Sequence, residues 1–285
     1  MNLPIKNPVE PKKYSKNGDY LLTIGHKGEG PGEFVGPIIF FIDAKNIINI
    51  FDFGTQRIMH FSNSGEFLDS VNLGEPLGLP PFGFAVDDSK NYFLSSYNHK
   101  KNTVIQKYNA TGKLINSFGK PPKFRKPMTS IDFSIKQNIS RGVLRLTKNA
   151  LCYSQLNPYE IRRYSLNGKL EMIIYRDNEF MPPARAKLIG NNRYEVPEPS
   201  MSTMVGMWKN RIVNCVAVPE DISSKIGCVV DLFNQQGQLL TSLILKDRIY
   251  FTDIDRHGKL YGGMIKKNKT RVIVRYALKM EKGGN

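Results

Sequence analysis

Apolar and polar residues alternate in short runs along most of the chain, as they do in β-strands that turn one face toward a core. The segments at 57–61 and 67–71 show this clearly, on either side of a short polar turn. No segment of useful length carries the 3.6-residue period of a helix. The pattern therefore predicts an all-β chain.

The turn between such strands belongs to an internal repeat, which consists of an aromatic residue, three residues, a glycine, one residue and an apolar residue. Its five copies begin at Tyr14, Phe61, Tyr108, Tyr164 and Phe233, and a partial copy without the glycine begins at Tyr276. The glycines follow one another at steps of 47, 47, 56 and 69 residues. A glycine preceded by a small polar residue supplies the positive φ of a tight hairpin turn.

Two more short strands are predicted between successive hairpins. They fall at 38–43 with 47–51, 84–87 with 92–96, 143–147 with 150–154, 204–208 with 212–218, and 250–254 with 260–265. Four short antiparallel strands per unit of about 45 residues are typical of a propeller blade. We therefore predict a β-propeller of four-stranded antiparallel blades, forming a single domain over residues 1–285 with an extended lead-in at 1–12.

The number of blades has two solutions if the strands are lettered a to d outward from the propeller axis. The chain opens with strands c and d of one blade and closes with a, b and c of another. Six c-type segments indicate a six-bladed parent that lacks its first a and b strands, as an N-terminal truncation would leave it. The alternative is five blades, closed by pairing 20–24 with 271–280.

The first complete repeat also carries a family resemblance. His26-Lys27-Gly28-Glu29-Gly30-Pro31-Gly32-Glu33-Phe34, the apolar run ending at Ile42-Asp43, and then Ile48-Asn49-Ile50-Phe51-Asp52 and Arg57-Ile58 resemble the NHL repeat of bacterial six-bladed β-propeller proteins. The resemblance is specific over 25–74, and later copies match only in the hairpin. It implies a protein that binds partners on a propeller face, often outside the cytoplasm.

Composition narrows the class of partner. The formal net charge of +16 favours anionic partners such as nucleic acid, anionic glycans or lipid headgroups. No apolar run is long enough to span a membrane, and the first 18 residues lack the apolar segment of a signal peptide. The three cysteines lack metal-binding spacing, so we expect buried free thiols, with a Cys215–Cys228 bridge as the alternative.

Motifs for catalysis are weak. The glycine-rich loop at 28–32 lacks the Lys-Ser/Thr and the helix of a phosphate-binding loop, so we interpret it as a connection between blades. The four histidines are dispersed, and we expect His60 to be packed in the core. His26 and His99 both lie on predicted loops of the same face, where a shared metal or base role is the alternative to a structural one. We predict no metal and no cofactor.

Basic residues concentrate on the loops that join strand d to a and strand b to c, which share one face of a propeller. We take these as candidate ligand-binding residues: His26, Lys27, His99, Lys100, Lys101, Lys120, Lys123, Phe124, Arg125, Lys126, Lys266, Lys267, Lys269 and Arg271. Phe124 and Tyr97 lie among them and suit stacking on a base or sugar.

These observations favour a non-catalytic binding or scaffold propeller that recognises a protein, a glycan or another anionic ligand on its loop face. Two alternatives stay open. One is an RNA-binding NHL-type domain, which the charge supports. The other is a metal-dependent lactonase- or lyase-like enzyme acting in the central channel, although no matching set of metal ligands is found in the sequence.

Overall fold

The computed structural model describes residues 10–122, 140–147, 149–177, 179–182, 187–190, 193–195, 199–266 and 268–279. Every regular element in these ranges is a β-strand. Within the same ranges there is therefore no helix that could span a membrane. The chain divides into two compact units, Met1–Phe118 and Gly119–Asn285. The single domain over 1–285 stays a prediction, and residues 1–9 of the predicted lead-in lie outside the described residues.

The first unit has twelve strands in its described part. They are β1 (Lys12–Tyr14), β2 (Tyr20–Thr23), β3 (His26–Lys27), β4 (Glu33–Phe34), β5 (Pro37–Ile42), β6 (Ile48–Asp52), β7 (Arg57–Phe61), β8 (Phe67–Asn72), β9 (Gly83–Val86), β10 (Tyr92–Asn98), β11 (Thr103–Tyr108) and β12 (Leu114–Phe118). Two antiparallel four-stranded sheets, β5-β6-β7-β8 and β9-β10-β11-β12, follow one another along the chain. A two-stranded antiparallel sheet, β1-β2, precedes them.

The second unit continues the same pattern with thirteen described strands. They are β13 (Gly142–Leu146), β14 (Ala150–Gln155), β15 (Glu160–Ser165), β16 (Leu170–Tyr175), β17 (Lys187–Gly190), β18 (Arg193–Glu195), β19 (Met201–Trp208), β20 (Arg211–Ala217), β21 (Cys228–Phe233), β22 (Leu239–Leu245), β23 (Tyr250–Ile254), β24 (Lys259–Ile265) and β25 (Arg271–Ala277). Strands β13 to β16 and β19 to β22 form four-stranded sheets, and β23 to β25 form a three-stranded one. Successive sheets of this kind are propeller blades, which confirms the predicted all-β propeller of four-stranded antiparallel blades.

The repeated aromatic residues occupy equivalent positions in these sheets. Each lies at or one residue before the end of its strand, directly opposite the first apolar residue of the next strand, and in each pair the register shifts just before the aromatic. The strand is the third of its sheet in the four-stranded sheets and the first in β1-β2. The pairs are Tyr14 with Tyr20, Phe61 with Phe67, Tyr108 with Leu114, Tyr164 with Leu170, and Phe233 with Leu239. The glycine of each turn has φ between 80° and 95°. The hairpin prediction is thus confirmed, and β1-β2 has the geometry of strands c and d.

The two faces of the β5-β8 sheet contact different elements. On one face, Phe51 and Ile58 pack with Phe84, Val86 and other residues of the β9-β12 sheet. On the other face, the outer residues Met59 and Phe61 pack with Ile24 and Leu22 of the β1-β2 region. The first unit is therefore held together by sheet faces packed on sheet faces, as blades are.

The core of the second unit contains the three cysteines, which are buried and free, as expected. Burial raises the pKa of Cys152 to about 11 and that of Cys228 to about 12. One buried charge, Asp231, is also present on β21. It forms an ion pair with Arg176 and accepts a hydrogen bond from the Tyr159 hydroxyl at 2.8 Å. A fully buried carboxylate is tolerated only with such partners.

Two connections contain strands that the sequence did not predict. The segment 176–203, interpreted as a loop, contains the antiparallel pair β17-β18. His26 and Lys27, also placed on a loop, form β3 and pair in parallel with β4.

Candidate functional site in the basic loops

Strands β10 and β11 are joined by a hydrogen-bonded turn, and we call residues 97–102, which include the last two residues of β10, basic turn 1. The Asn98 side chain accepts the N–H of Lys101 at 3.1 Å, and the Tyr97 hydroxyl donates to the Asn102 side chain at 3.1 Å. Asn102 has φ of 52°, a conformation that asparagine tolerates well. The turn therefore presents His99, Lys100 and Lys101 on a fixed backbone.

The charges of basic turn 1 are only partly neutralised. Lys101 Nζ lies 3.6 Å from Glu75 Oε2, and both side chains are about half exposed. An exposed pair at this distance contributes at most about 1 kcal/mol, so it leaves the cation available to a ligand. Lys100 is exposed and forms no ion pair within the described chain.

Tyr97 does not serve as a stacking surface, contrary to the prediction. It is only 5% exposed, and the ring of His99 packs edge-on against it with 5.3 Å between centroids. The reason is that β10 is buried on both faces along its whole length up to Tyr97, so neither orientation of the side chain would expose the ring.

A second turn of the same kind joins β24 to β25 in the second unit. In this basic turn 2, which spans residues 266–271, the N–H of Lys269 donates to the carbonyl of Lys266 at 2.8 Å. The N–H of Lys266 donates to the carbonyl of Thr270 at 2.9 Å, and Lys269 has φ of 63°. Lys266, Lys269 and Arg271 are exposed.

The glycine-rich loop closes on its own carboxylate. Glu33 Oε2 accepts the N–H of Gly30 at 2.8 Å, and Oε1 lies 3.0 Å from His26 Nε2. The Gly30 hydrogen bond, and then His26, hold the pKa of Glu33 below its usual value. The loop thus binds its own acidic group, which supports a structural role over a phosphate site.

Some of the remaining candidate residues lie within the described ranges and others lie outside them. Lys27 and Lys120 are exposed, and the backbone carbonyl of Lys120 accepts a hydrogen bond from the buried Arg162. The candidates that lie outside the described residues are Lys123, Phe124, Arg125, Lys126 and Lys267. Basic turn 1 lies in the first unit and basic turn 2 lies in the second, so each turn is described within its own unit.

In the described ranges, no group of three or more His, Cys, Asp or Glu side chains is arranged to hold a metal ion. His60 is packed, as predicted. Its Nδ1 contacts Asp69 Oδ1, and its Nε2 lies 3.1 Å from the Tyr92 hydroxyl.

Comparison with known proteins agrees with the propeller class. Residues 14–139 match the model of the DUF5128 family, described as a six-bladed β-propeller. No curated protein matches the chain. The matching family is described by its propeller and not by the NHL repeat, so the conclusion is the coarser one, a β-propeller.

Several solved structures share the fold at low identity. An exported protein of Bacteroides fragilis superposes with a TM-score of 0.56 at 13% identity, covering 88% of this chain and 73% of its own. A DUF4221 family member from Bacteroides vulgatus gives 0.55 at 12% identity, covering 92% and 84%. Virginiamycin B lyase from Staphylococcus aureus gives 0.52 at 12% identity, covering 95% and 78%. Likeness at this level of identity concerns the fold alone.

Proposed function

We propose that this β-propeller is a non-catalytic binding module that recognises an anionic protein or glycan through its basic loops. The observation that supports it most is the construction of basic turns 1 and 2. Both join the second and third strands of a blade, and both hold exposed cations on a backbone fixed by internal hydrogen bonds. A rigid turn loses little conformational freedom on binding, which favours affinity.

The ligand class follows from the chemistry of these turns. They offer lysine, arginine and histidine, whose donors suit carboxylate or sulfate groups, and Tyr97 of basic turn 1 is too buried to act as a stacking platform. An acidic protein surface or an acidic glycan fits such donors. RNA remains the alternative that the net charge supports.

Charge reversal with a matched control tests the proposal. The variant Lys100→Glu/Lys269→Glu changes one residue in each basic turn, and Lys113→Glu/Lys169→Glu changes one exposed lysine in a c–d turn of each unit. We expect the first pair to weaken binding to immobilised heparin or a poly-glutamate peptide by about tenfold or more, as a loss of about 1.4 kcal/mol would. The second pair should have little effect.

The control makes the outcome specific, because both variants change the net charge equally. Equal weakening by the two variants would indicate general attraction to a basic protein and contradict a site at these turns. Tighter binding to single-stranded RNA than to either probe, with a steep loss in added salt, would favour the RNA alternative.

A further inference from the structure

Two turns of the second unit, each joining the first strand of a sheet to the second, bring cations together at the end of β24 that is remote from basic turn 2. The turn between β19 and β20 consists of Lys209 and Asn210, which both have positive φ, 45° and 58°. The turn between β23 and β24 begins at Asp255, whose side chain accepts the N–H of His257 at 2.8 Å. Both turns therefore hold their side chains on a tightly constrained backbone.

The side chain of Trp208, the last residue of β19, packs between these two turns. Lys209 Nζ lies 5.2 Å from the centroid of one of its rings. A Cβ on Gly258 would lie 2.6 Å from Cε2 of the same side chain, so the glycine lets the second turn approach it closely. Trp208 is only 3% exposed and acts as a fixed support that sets the two turns side by side.

A third segment of the chain reaches the same place. The N–H of Leu278, one residue after β25, donates to the carbonyl of Gly258 at 2.8 Å. The residue that follows is Lys279, which is exposed, as Lys209 and Arg256 of the two turns are. Three exposed cations thus come from three separate segments that contact one another.

We call Lys209, Arg256 and Lys279 the Trp208 cluster. None of the three forms an ion pair with a carboxylate among the residues that the structure describes. The acidic residue of the second turn, Asp255, already accepts hydrogen bonds within its own turn. The cations of the cluster therefore keep their charge available for a ligand.

The corresponding turns of the first unit are not basic. The turn between β5 and β6 contains Asp43 with Lys45, and the turn between β9 and β10 contains Asp87 and Asp88 with Lys90. Each lysine there has an acidic residue within three positions of it. The excess of positive charge is therefore a feature of the second unit and does not come with this kind of turn.

The donors of the cluster match a particular anionic group. Arg256 Nε donates to Nε2 of His257 at 3.2 Å, so the neutral imidazole carries its proton on Nδ1 and is itself a donor. A carboxylate offers a single negative charge, whereas a phosphate monoester carries a charge of about −1.5 to −2 and three acceptor oxygens. Cations from three segments beside an imidazole donor suit the phosphate group better.

We propose that the Trp208 cluster binds a phosphate monoester group. Arginine offers a planar fork of donors to the phosphate oxygens, and lysine adds a compact charge. The site lies apart from basic turns 1 and 2 and does not depend on their role.

Calorimetric titration of the full chain at constant ionic strength tests the proposal. Glycerol phosphate presents the group on a soluble molecule, and vesicles that contain phosphatidic acid present it on a lipid. We expect saturable binding to at least one of these probes, and binding to acetate that is weaker by about tenfold or more. Trp208 is the only tryptophan of the chain, so its fluorescence should change in the same titration.

A matched pair of variants locates the phosphate. Lys209→Asn/Arg256→Gln removes two cations of the cluster and leaves at 209 a residue that tolerates positive φ. It should weaken binding by about tenfold or more, because charge-assisted hydrogen bonds are lost. Lys45→Gln/Lys90→Asn removes two exposed cations from the corresponding turns of the first unit, again with one of them, Lys90, at a positive φ of 59°, and should leave binding unchanged.

A variant of the basic turns separates this site from the proposed ligand face. Lys100→Glu/Lys269→Glu should bind the phosphate probes as the wild type does. The proposal is contradicted if neither probe binds, if the cluster variant and its control weaken binding equally, or if acetate binds as tightly as the phosphate probes. Binding that leaves the fluorescence of Trp208 unchanged would also contradict it, because the ligand would then lie elsewhere.

Discussion

Two inner strands of the first unit, β5 and β9, have the same place in their sheets and opposite surroundings. The face of β9 that carries Phe84 and Val86 is covered by a four-stranded sheet, and on the corresponding face of β5 the side chains of Phe40 and Ile42 stay more than half exposed. The residues themselves are similar, namely a phenylalanine followed two positions later by a β-branched aliphatic residue. What differs is the neighbouring sheet, so the burial of an inner strand is decided by the preceding blade and not by the strand's own sequence.

The largest expected difference in the free energy of unfolding is between the variants that truncate the phenylalanine on β9 and the phenylalanine on β5. Phe84→Ala should lower the free energy of unfolding by about 3–5 kcal/mol, because it leaves a cavity in a packed core. Phe40→Ala should change it by about 0.5 kcal/mol or less, as exposed substitutions do. Urea denaturation followed by far-UV circular dichroism measures both, and equal losses would show that β5 is as well covered as β9.

The glycines of the hairpin turns extend the comparison to the outer strands. A Cβ on Gly112 would lie 1.9 Å from the carbonyl oxygen of Asn72 in the preceding sheet, and a Cβ on Gly18 meets nothing within 4 Å. Both glycines have positive φ, which costs another residue roughly 1–2 kcal/mol. Gly18→Ala should therefore cost about that amount.

For Gly112→Ala the contact with Asn72 adds to the cost of the positive φ, because backbone must move. Thermal unfolding of the two variants should show the larger loss of Tm for Gly112→Ala. Identical losses would mean that only the φ angle matters, and that a preceding sheet does not press on the turn.

A smaller effect, on the pH dependence of stability, is expected from Glu33 in the segment that links β1-β2 to β5. Because the folded state holds the pKa of Glu33 below its usual value, the ionised carboxylate stabilises the fold. That stabilisation is fully present above the pKa of the unfolded carboxyl group, and it is lost as the pH falls through the lower folded pKa. Glu33→Gln should therefore be less stable than wild type near pH 7 and equal to it in strong acid.

Urea denaturation at several pH values measures the difference in the free energy of unfolding between Glu33→Gln and the wild type. A Glu33→Gln variant whose deficit persists unchanged in strong acid would show that shape, not charge, explains the role of Glu33.

The hairpins were predictable from the sequence because their signals are local. Gly65 with its flanking Phe61 and Phe67 specifies a turn, a bulge and a strand pair within seven residues, and the same holds in the other copies. Basic turn 1 was predictable for a similar reason, since a run of His99-Lys100-Lys101 between two apolar strands is polar and exposed.

The exposure of Phe40 and Ile42 on β5 was not predictable, because it depends on β1-β2, a separate part of the chain. The run Pro-Ile-Ile-Phe-Phe-Ile of β5 is apolar at every position, which predicts a strand buried on both faces. Only the packing of β1-β2 shows that one face stays open. The burial of Tyr97 and the hairpin β17-β18 were missed for related reasons, since burial on both faces at the end of a strand and strand pairing in long connections have weak local signals.

The central claim, that the β5 face is open and the equivalent β9 face is closed, can be measured by thiol labelling. The native thiols Cys152, Cys215 and Cys228 are buried with raised pKa, so they give little background reaction. In the folded Ile42→Cys variant the new thiol should react with a maleimide reagent as an exposed thiol does. In Val86→Cys it should react only after unfolding. Protection of both thiols in the folded protein would contradict the account.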